Sequence, residues 1–534
     1  MHTAARQQKV PSWAVHEHYV LRLLWSLARQ PDKIVLRWQG QSITRWELSG
    51  RVVRAASVLH AHGIGPGQTV AVLTRINNPE MLIARYAAHL VGATVVYVHS
   101  ANPRGQTEPL SEQVQIRILR ETAARVLVTD HDHLARARTV AGSSGGSPML
   151  AASGFDADGV LRLDADSASP VRTVSYRPDD TAIITFTSGT TGYPKSIVQS
   201  YRAWNATVSS FDPSTDRAAP ATFLAVTPLS YTIGSMLDSV VIGGGRVVLR
   251  ESFDAAGVLS SIETERATDT YLAVPHLYQL LDQPRIAATD LSSLRRIIYS
   301  GSPAAPHRIA AAAERFPGCL HQLYGSTECG GISCLSPADH RQPELLSTVG
   351  KPVPGVRLGV FDPDTGRKLL PVAVGESGAV GEICVQARTV MSGYLTDTAG
   401  GPRDGWLHTG DLGYLDKRGY LTLTGRLAGV IKSDGHKIHP AAIEAVLLSH
   451  PAIQHAVVYG VEDGDRREHI HAAIVLGPDA QCSDRELSDL VADRLTASHV
   501  PSTFHRWAEL PLTGRGKPDV AQLRTHSAQR LSHR

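Results

Sequence analysis

The chain has 534 residues, of which 42% are hydrophobic and 19% charged, with a formal net charge of +3. That length exceeds one ordinary hydrophobic core and implies two or more domains. The small net charge gives no case for nucleic-acid binding, and no apolar run reaches membrane-spanning length. Five scattered cysteines without a C-x-x-C pair argue against zinc or a disulfide framework and fit a reducing cytoplasm.

The polar start shows no uninterrupted apolar segment of the secretory kind. Trp13 to Arg29 predicts an amphipathic helix. Ile34-Val35-Leu36 and Gln41-Ser42-Ile43 flank Gln39-Gly40 and predict a hairpin. Thr44 with Glu47 is a capping-box pattern, opening a helix through Leu48, Val52 and Ala56 to about His62, with Gly63 as its cap. Val70 to Leu73 and Ala93 to Val98 predict short buried strands, with a helix from Pro79 to Val91 between them. Helices alternating with apolar strands indicate an α/β domain with largely parallel sheets. Ala141 to Ser169, rich in Gly, Ser, Ala and Asp, reads as exposed connection. Strands follow at Thr222–Val226, Val247–Leu249 and Ile297–Tyr299, then a helix from Ala304 to Phe316. Short strands with glycines and prolines from Val349 to Tyr420 suggest a β-rich subdomain. The remainder reads as a separate small α/β domain, with a boundary near Gly425-Arg426. It has a helix at Ile443–Ser449, strands at Ala456–Tyr459 and Ile470–Leu476, and a second capping box at Ser483 and Glu486.

One stretch stands out within this pattern. Thr187-Ser188-Gly189-Thr190-Thr191-Gly192-Tyr193-Pro194-Lys195 follows the apolar run Ala182-Ile183-Ile184. Glycines let the backbone approach an anion, hydroxyls add donors and the lysine adds charge. The stretch reads as a loop for a polyphosphate, and a plain surface loop with an incidental lysine is the alternative. A Walker A loop needs glycine where Pro194 stands, and proline has no N–H to offer.

Three further stretches carry chemistry. Tyr324-Gly325-Ser326-Thr327-Glu328 sets together an aromatic face, a glycine, two hydroxyls and a carboxylate, although an ordinary turn has the same composition. Trp406-Leu407-His408-Thr409-Gly410-Asp411 ends in a carboxylate suited to a ribose diol, within a common T-G-D string. Leu510-Pro511-Leu512-Thr513-Gly514-Arg515-Gly516-Lys517 reads by itself as a basic tail.

Together and in this order, the four stretches resemble the signatures of the adenylate-forming superfamily: acyl-CoA synthetases, peptide-synthetase adenylation domains and luciferases. The resemblance covers nearly the whole chain. It implies an α/β fold with a large N-terminal domain over 1–425, its parallel-rich sheets flanked by helices and joined by a β-rich subdomain. A small, mobile α/β C-terminal domain over 426–534 would carry the catalytic lysine.

The resemblance also implies roles. Thr187, Ser188, Gly189, Thr190, Thr191, Gly192 and Lys195 would hold the β- and γ-phosphates of ATP. Gly301, Ser302 and Pro303 would line the adenine and acyl pocket. Tyr324 would pack beside the adenine, Gly325 would permit close approach, and Ser326 and Thr327 would offer hydroxyls, Thr327 to the α-phosphate. Glu328 would help hold Mg²⁺, Asp411 would bind the ribose, and Arg426 would lie near the ribose or phosphate. Lys517 would bridge the carboxylate and α-phosphate and stabilise the transition state.

The implied reaction overcomes the poor electrophilicity of a carboxylate. Attack on the α-phosphate of ATP gives acyl-AMP and pyrophosphate, and AMP then leaves to a second nucleophile. Resemblance implies that the small domain rotates between the steps. The chain departs from the pattern at that hinge, where Ala428 and Gly429 replace charged residues. Ile431 to Ile438, with Lys432 and Gly435, looks like the second-step segment, Gly435 standing where a pantetheine arm would pass. A plain turn between strands is the other reading. In the acyl pocket, Pro228-Leu229-Ser230-Tyr231 replaces a P-L-F-H string. Tyr231 suggests an aryl or other bulky acid, or is a core tyrosine. Gly234 and Gly330 would leave room for the acid, by position alone. Asp238 reads as a helix-surface aspartate or as a partner for a cationic substrate group.

The substrates implied are ATP, with Mg²⁺, and a small-molecule carboxylic acid. CoA is the leading acceptor and co-substrate, an amine the alternative, and a free carrier protein a third. A nucleotide-binding relic is the non-enzymatic reading, against which Lys195, Glu328, Asp411 and Lys517 speak together. From this assignment we predict that Lys517→Ala impairs adenylate formation more than acyl transfer from supplied acyl-AMP. Pyrophosphate release and single-turnover transfer measure the two steps, and equal losses would contradict the assigned role.

Overall fold

The computed structural model describes residues 18–99, 110–166, 176–187, 195–211, 219–230, 232–373, 378–396, 401–433, 436–463, 468–477, 480–512 and 518–531. The chain divides into two units. One comprises Met1–Tyr271, Thr289–Leu294 and Arg388–Gly401, the other Leu272–Ala288, Arg295–Ala387 and Pro402–Arg534.

In the first unit an eight-stranded sheet runs Gly393–Tyr394, Lys195–Ser200, Thr181–Thr187, Thr94–Tyr97, Thr69–Leu73, Ala124–Thr129, Met149–Ala152, Val160–Arg162. Pairing is parallel from Thr181–Thr187 to Val160–Arg162 and antiparallel at the opposite edge. Thr69–Leu73 and Thr94–Tyr97 are buried at every residue, as a parallel sheet covered on both faces requires. A second parallel set joins Thr222–Ala225, Arg246–Leu249 and Ile34–Trp38, flanked by antiparallel Gln41–Thr44.

Local signals decide several of these elements. Gln39 and Gly40 take φ of 48° and 77°, the left-handed pair that a tight hairpin needs. The capping box forms: Glu47 Oε2 accepts the Thr44 N–H at 2.7 Å, and Thr44 Oγ1 accepts the Glu47 N–H at 3.2 Å. The first helix is described as Tyr19–Ala28. The expectation of exposed connection over 141–169 is corrected. Met149–Ala152 and Val160–Arg162 extend the sheet, with Ala151 and Ala152 fully buried. Such short, small-residue strands carry no period long enough to read.

Helix Pro79–Leu90 is buried along its whole length. Its polar side chains must therefore find partners inside. Arg85 Nη2 meets Asp238 Oδ1 at 2.5 Å, with both side chains fully buried, and the Tyr86 hydroxyl donates to the same oxygen at 2.7 Å. Asp238 thus lies on the buried helix Thr232–Ile242 rather than on a helix surface. Burial pushes its carboxyl up, against the pull of Arg85. Burial disfavours the charge on Arg85, and the Asp238 carboxylate outweighs that effect and holds the guanidinium above its ordinary range. Asn77 is buried at a left-handed φ of 56°. It donates from Nδ2 to Thr227 O at 3.0 Å and Arg250 O at 2.7 Å, and accepts the Leu229 N–H at 3.0 Å.

In the second unit Arg296–Ser300 runs parallel to Leu320–Ser326, which turns back as Gly330–Leu335. A four-stranded antiparallel sheet follows: Arg357–Phe361, Gly381–Gln386, Leu407–Leu415, Leu421–Arg426. This is the β-rich character read from 349–420. Beyond Arg426 come the ribbon Ile431–Ser433 with His436–Ile438, and a sheet of Ile453–Glu462, Glu468–Leu476 and Thr503–Arg506. Helices Pro440–Leu448 and Asp484–Arg494 put Ile443, Leu447, Leu487 and Val491 into one core with Ile453 and Ile470. Ser483 caps the second helix, accepting the Glu486 N–H at 3.1 Å, but the Glu486 carboxylate pairs with His450 at 3.1 Å instead of returning to the cap. The last helix, Val520–Leu531, is tied to the sheet through Ser527 Oγ, 2.9 Å from the Tyr459 hydroxyl and 3.2 Å from His505 Nε2. His505 in turn meets His471 at 3.0 Å, and burial lowers His471 to about 4, so this ring stays neutral near pH 7. Among the described residues no helix is long and apolar enough to cross a membrane.

The Arg85–Asp238 pair yields a stability prediction. Arg85→Met leaves a buried carboxylate unpaired and costs about 3–5 kcal/mol, whereas adding Asp238→Leu recovers most of the loss. Urea unfolding of both variants measures this, and a double variant as unstable as the single would contradict it.

Candidate active site

The densest set of predicted residues lies in the second unit. Leu320–Ser326 and Gly330–Leu335 form a hairpin whose turn carries Thr327, Glu328 and Cys329. Gly325 is required there, because a Cβ would collide with the Gly330 carbonyl. Gly330 itself takes a left-handed φ of 73°, and Ser326 Oγ sits 3.4 Å from the buried Cys329 thiol across the turn. Thr327 and Glu328 are half-buried.

The hairpin's neighbour aligns a second predicted segment. Ile297, Ile298 and Tyr299 pair in parallel with Leu320, His321 and Gln322. Extending this register puts Gly301 level with Tyr324, at the carboxyl ends of two parallel strands. Open α/β sheets place ligands at such ends. Gly301 turns the chain there with φ of 101°. Gly301 and Ser302 are half-buried and Pro303 is exposed.

Tyr324 reaches the third predicted stretch directly. Its hydroxyl donates to Asp411 Oδ2 at 2.8 Å, and Arg426 Nε donates to Asp411 Oδ1 at 2.8 Å. Asp411 and Arg426 are also direct partners in the ladder between Leu407–Leu415 and Leu421–Arg426. The carboxylate is 8% exposed, while the Arg426 side chain is largely in solvent. Burial, then the charge of Asp411, hold the Tyr324 phenol well above its ordinary range, so it remains a donor. Each Asp411 oxygen keeps a further lone pair for a hydroxyl of a ligand.

In the first unit, Thr187 ends one strand and Lys195 begins the next, and the two are antiparallel partners. The phosphate stretch therefore joins the two strands of a hairpin. A Walker A loop instead leads from a strand into a helix, so the topology rejects that reading independently of Pro194. Lys195 Nζ lies 5.4 Å from the centre of the Tyr394 ring. Gly234 packs against the Leu229 carbonyl and Arg85 Nη1, which occupy the space a Cβ would need. That packing is reason enough for a glycine, whatever binds nearby. Ser188, Gly189, Thr190, Thr191, Gly192, Tyr231, Gly435 and Lys517 lie outside the described residues, as does the side chain of Lys432.

Sequence reasoning passed over one residue that the geometry brings in. Glu382 accepts the Gly410 N–H at 3.0 Å and pairs with His408 at 2.7 Å. Its signal was a single charge in the otherwise uncharged strand Gly-Glu-Ile-Cys-Val-Gln.

The AMP-binding enzyme family matches residues 23–395, and the AMP-binding enzyme C-terminal domain matches residues 442–517. The chain belongs to the AMP-binding enzyme family. It is thus an adenylate-forming, ATP-dependent ligase. The chain is 30% identical over 527 residues to the medium/long-chain-fatty-acid–CoA ligase FadD8 of Mycobacterium tuberculosis, covering 94% of this chain and 89% of that protein. The amide bond synthetase McbA from Marinactinospora thermotolerans superposes with a TM-score of 0.84 at 34% identity, over 95% of this chain and 99% of McbA. The O-succinylbenzoate coenzyme A synthetase of Bacillus subtilis, in complex with ATP and a magnesium ion, gives a TM-score of 0.76 at 30% identity, over 93% and 98% of the two chains.

The Tyr324–Asp411 bond makes this family member testable. Tyr324→Phe removes the donor and should weaken Mg·ATP binding by about ten- to a hundred-fold, given the ~1.5–3 kcal/mol of a hydrogen bond to a charged group. Calorimetric titration measures it, and unchanged affinity would show that Asp411 needs no such orientation.

Proposed function

We propose that this chain activates a small-molecule carboxylic acid as acyl-AMP and passes the acyl group to the thiol of CoA. A carboxylate oxygen attacks the α-phosphorus of ATP, and the bond to the β-phosphate's bridging oxygen breaks, releasing pyrophosphate. The thiol sulfur then attacks the acyl carbon, loses its proton, and AMP departs with the bonding pair. The observation carrying the reading is the Asp411 carboxylate, held between Tyr324 and Arg426 at the carboxyl ends of parallel strands.

On this reading Asp411 takes the ribose diol, with Arg426 beside it. Tyr324 flanks the adenine together with Gly301, Ser302 and Pro303, and Thr327 meets the α-phosphate. Thr187, Lys195 and the intervening loop take the β- and γ-phosphates. Glu328 and Thr327 offer hard oxygen donors, the ligand type that magnesium prefers. When bound, the ion neutralises phosphate charge. Lys517 approaches the α-phosphate from a small domain, 426–534, that moves against 1–425. Most of the catalysis on this account is positioning and charge stabilisation.

A second reading gives an amine the acceptor's place, forming an amide. Two observations favour it: the 34% identity to an amide bond synthetase, and uncharged Ala428 and Gly429 just beyond Arg426. CoA and an amine are the acceptors that the names of the relatives described above carry.

One assay separates these readings. The chain is incubated with Mg·ATP and a panel of fatty, aryl and heteroaryl acids, with CoA, with amines, or with neither. Acid-dependent pyrophosphate release with acyl-CoA formation supports the thiol reading. Amide formation without CoA supports the amine reading. No pyrophosphate from any acid would sink both.

A further inference from the structure

Strand Leu407–Leu415 does not pair evenly with Gly381–Gln386. Glu382 lies opposite Leu412 and Cys384 opposite His408, so Ile383 alone faces Thr409, Gly410 and Asp411. The surplus residues leave the ladder, and their backbone groups need other partners. The Gly410 N–H goes to Glu382 Oε1 at 3.0 Å. The Thr409 hydroxyl donates to Ile383 O at 2.8 Å and accepts the Asp411 N–H at 3.1 Å. The second oxygen of Glu382 pairs with His408 Nδ1 at 2.7 Å. One carboxylate therefore holds both the start of the bulge and its middle. Glu382 is 8% exposed, so these donors replace its lost water. Gly410 takes φ of 71°, the left-handed turn that redirects the chain just before Asp411.

Along a regular strand, side chains alternate between faces. Two surplus residues leave that alternation in phase. What the bulge sets is the course of the backbone at Asp411, through the Thr409 hydroxyl on its N–H and the turn at Gly410. From there its carboxylate meets Tyr324 and Arg426. We propose that Glu382 is a positioning residue of the nucleoside site. It fixes the bulge that aims Asp411, and thereby sets selectivity for an intact ribose diol. This rests on Asp411 being the ribose ligand.

The test compares binding of ATP and 2′,3′-dideoxy-ATP, each with Mg²⁺, to the full chain by calorimetry. The ratio of the two affinities reports the diol contact and is insensitive to a general loss of stability. A preference of about ten-fold in the parent follows from a hydrogen bond to a charged group. Glu382→Ala and Asp411→Ala should each bring the ratio close to one, and the double variant should lower it no further. Glu382→Gln keeps an acceptor for the Gly410 N–H and should restore most of the preference. A folded Glu382→Ala with the parental ratio, beside a collapsed ratio in Asp411→Ala, overturns the proposal alone. A parental ratio in Asp411→Ala removes the ribose assignment itself, and this role with it.

Should Glu382→Ala fail to fold, Glu382→Asp keeps the charge but withdraws the carboxylate. A lowered ratio supports the proposal and an unchanged one overturns it. Cys384 Sγ lies 3.3 Å from the same His408 nitrogen, and the donor atoms of Glu382, Cys384 and His408 fall within 4.8 Å of one another. Metal analysis of the purified chain therefore completes the test. Stoichiometric zinc lost on Glu382→Gln substitution would overturn the hydrogen-bonded arrangement, because the ion would take the place of the Glu382–His408 bond.

Discussion

A carboxylate leaves water only where donors replace it. Asp411 meets that condition with a phenol on one oxygen and a guanidinium on the other. Neither donor is local in sequence. Tyr324 comes from a hairpin beside a parallel strand, and Arg426 from the neighbouring strand of an antiparallel sheet. The carboxylate therefore joins the two sheet types of the second unit at one point. Two elements meet at that junction: the hairpin that carries Thr327 and Glu328, and the strand that ends at Arg426.

The same rule governs two other buried acids. Glu382 is surrounded by a backbone N–H and an imidazole, and Asp238 by a guanidinium and a phenol. In each case burial raises the electrostatic stake, and a specific donor set answers it. The three differ in purpose. Asp238 holds helices together, Glu382 bonds within a bulge, and Asp411 joins a hairpin to an antiparallel sheet.

Much of this was legible in the sequence because it is local. The Gln39-Gly40 hairpin, the Thr44–Glu47 box and the strands at Val70 and Val95 each follow from a few adjacent residues. The order of the four chemical stretches pointed to the family before any coordinates did. What escaped was non-local. Met149–Ala152 and Val160–Arg162 are strands only because a sheet edge awaits them. Glu486 completes a box on paper, yet its carboxylate turns to His450 from another helix's end. Asp238 resembled a surface residue because nothing near it in sequence announces Arg85. Glu382 showed only as a lone charge in its strand for the same reason: its partners are 26 and 28 residues away.

Asn77 offers a last point. It grips both sides of the segment 227–229, and Gly234 lets the next helix settle against the Leu229 carbonyl. The backbone leading to Ser230 is thus clamped at Thr227 and Leu229, through main-chain atoms alone. Because the clamp touches only main-chain atoms, it fixes the course of the backbone and leaves the identity of the side chains to their own packing. A family that applies one chemistry to many acids has use for that arrangement.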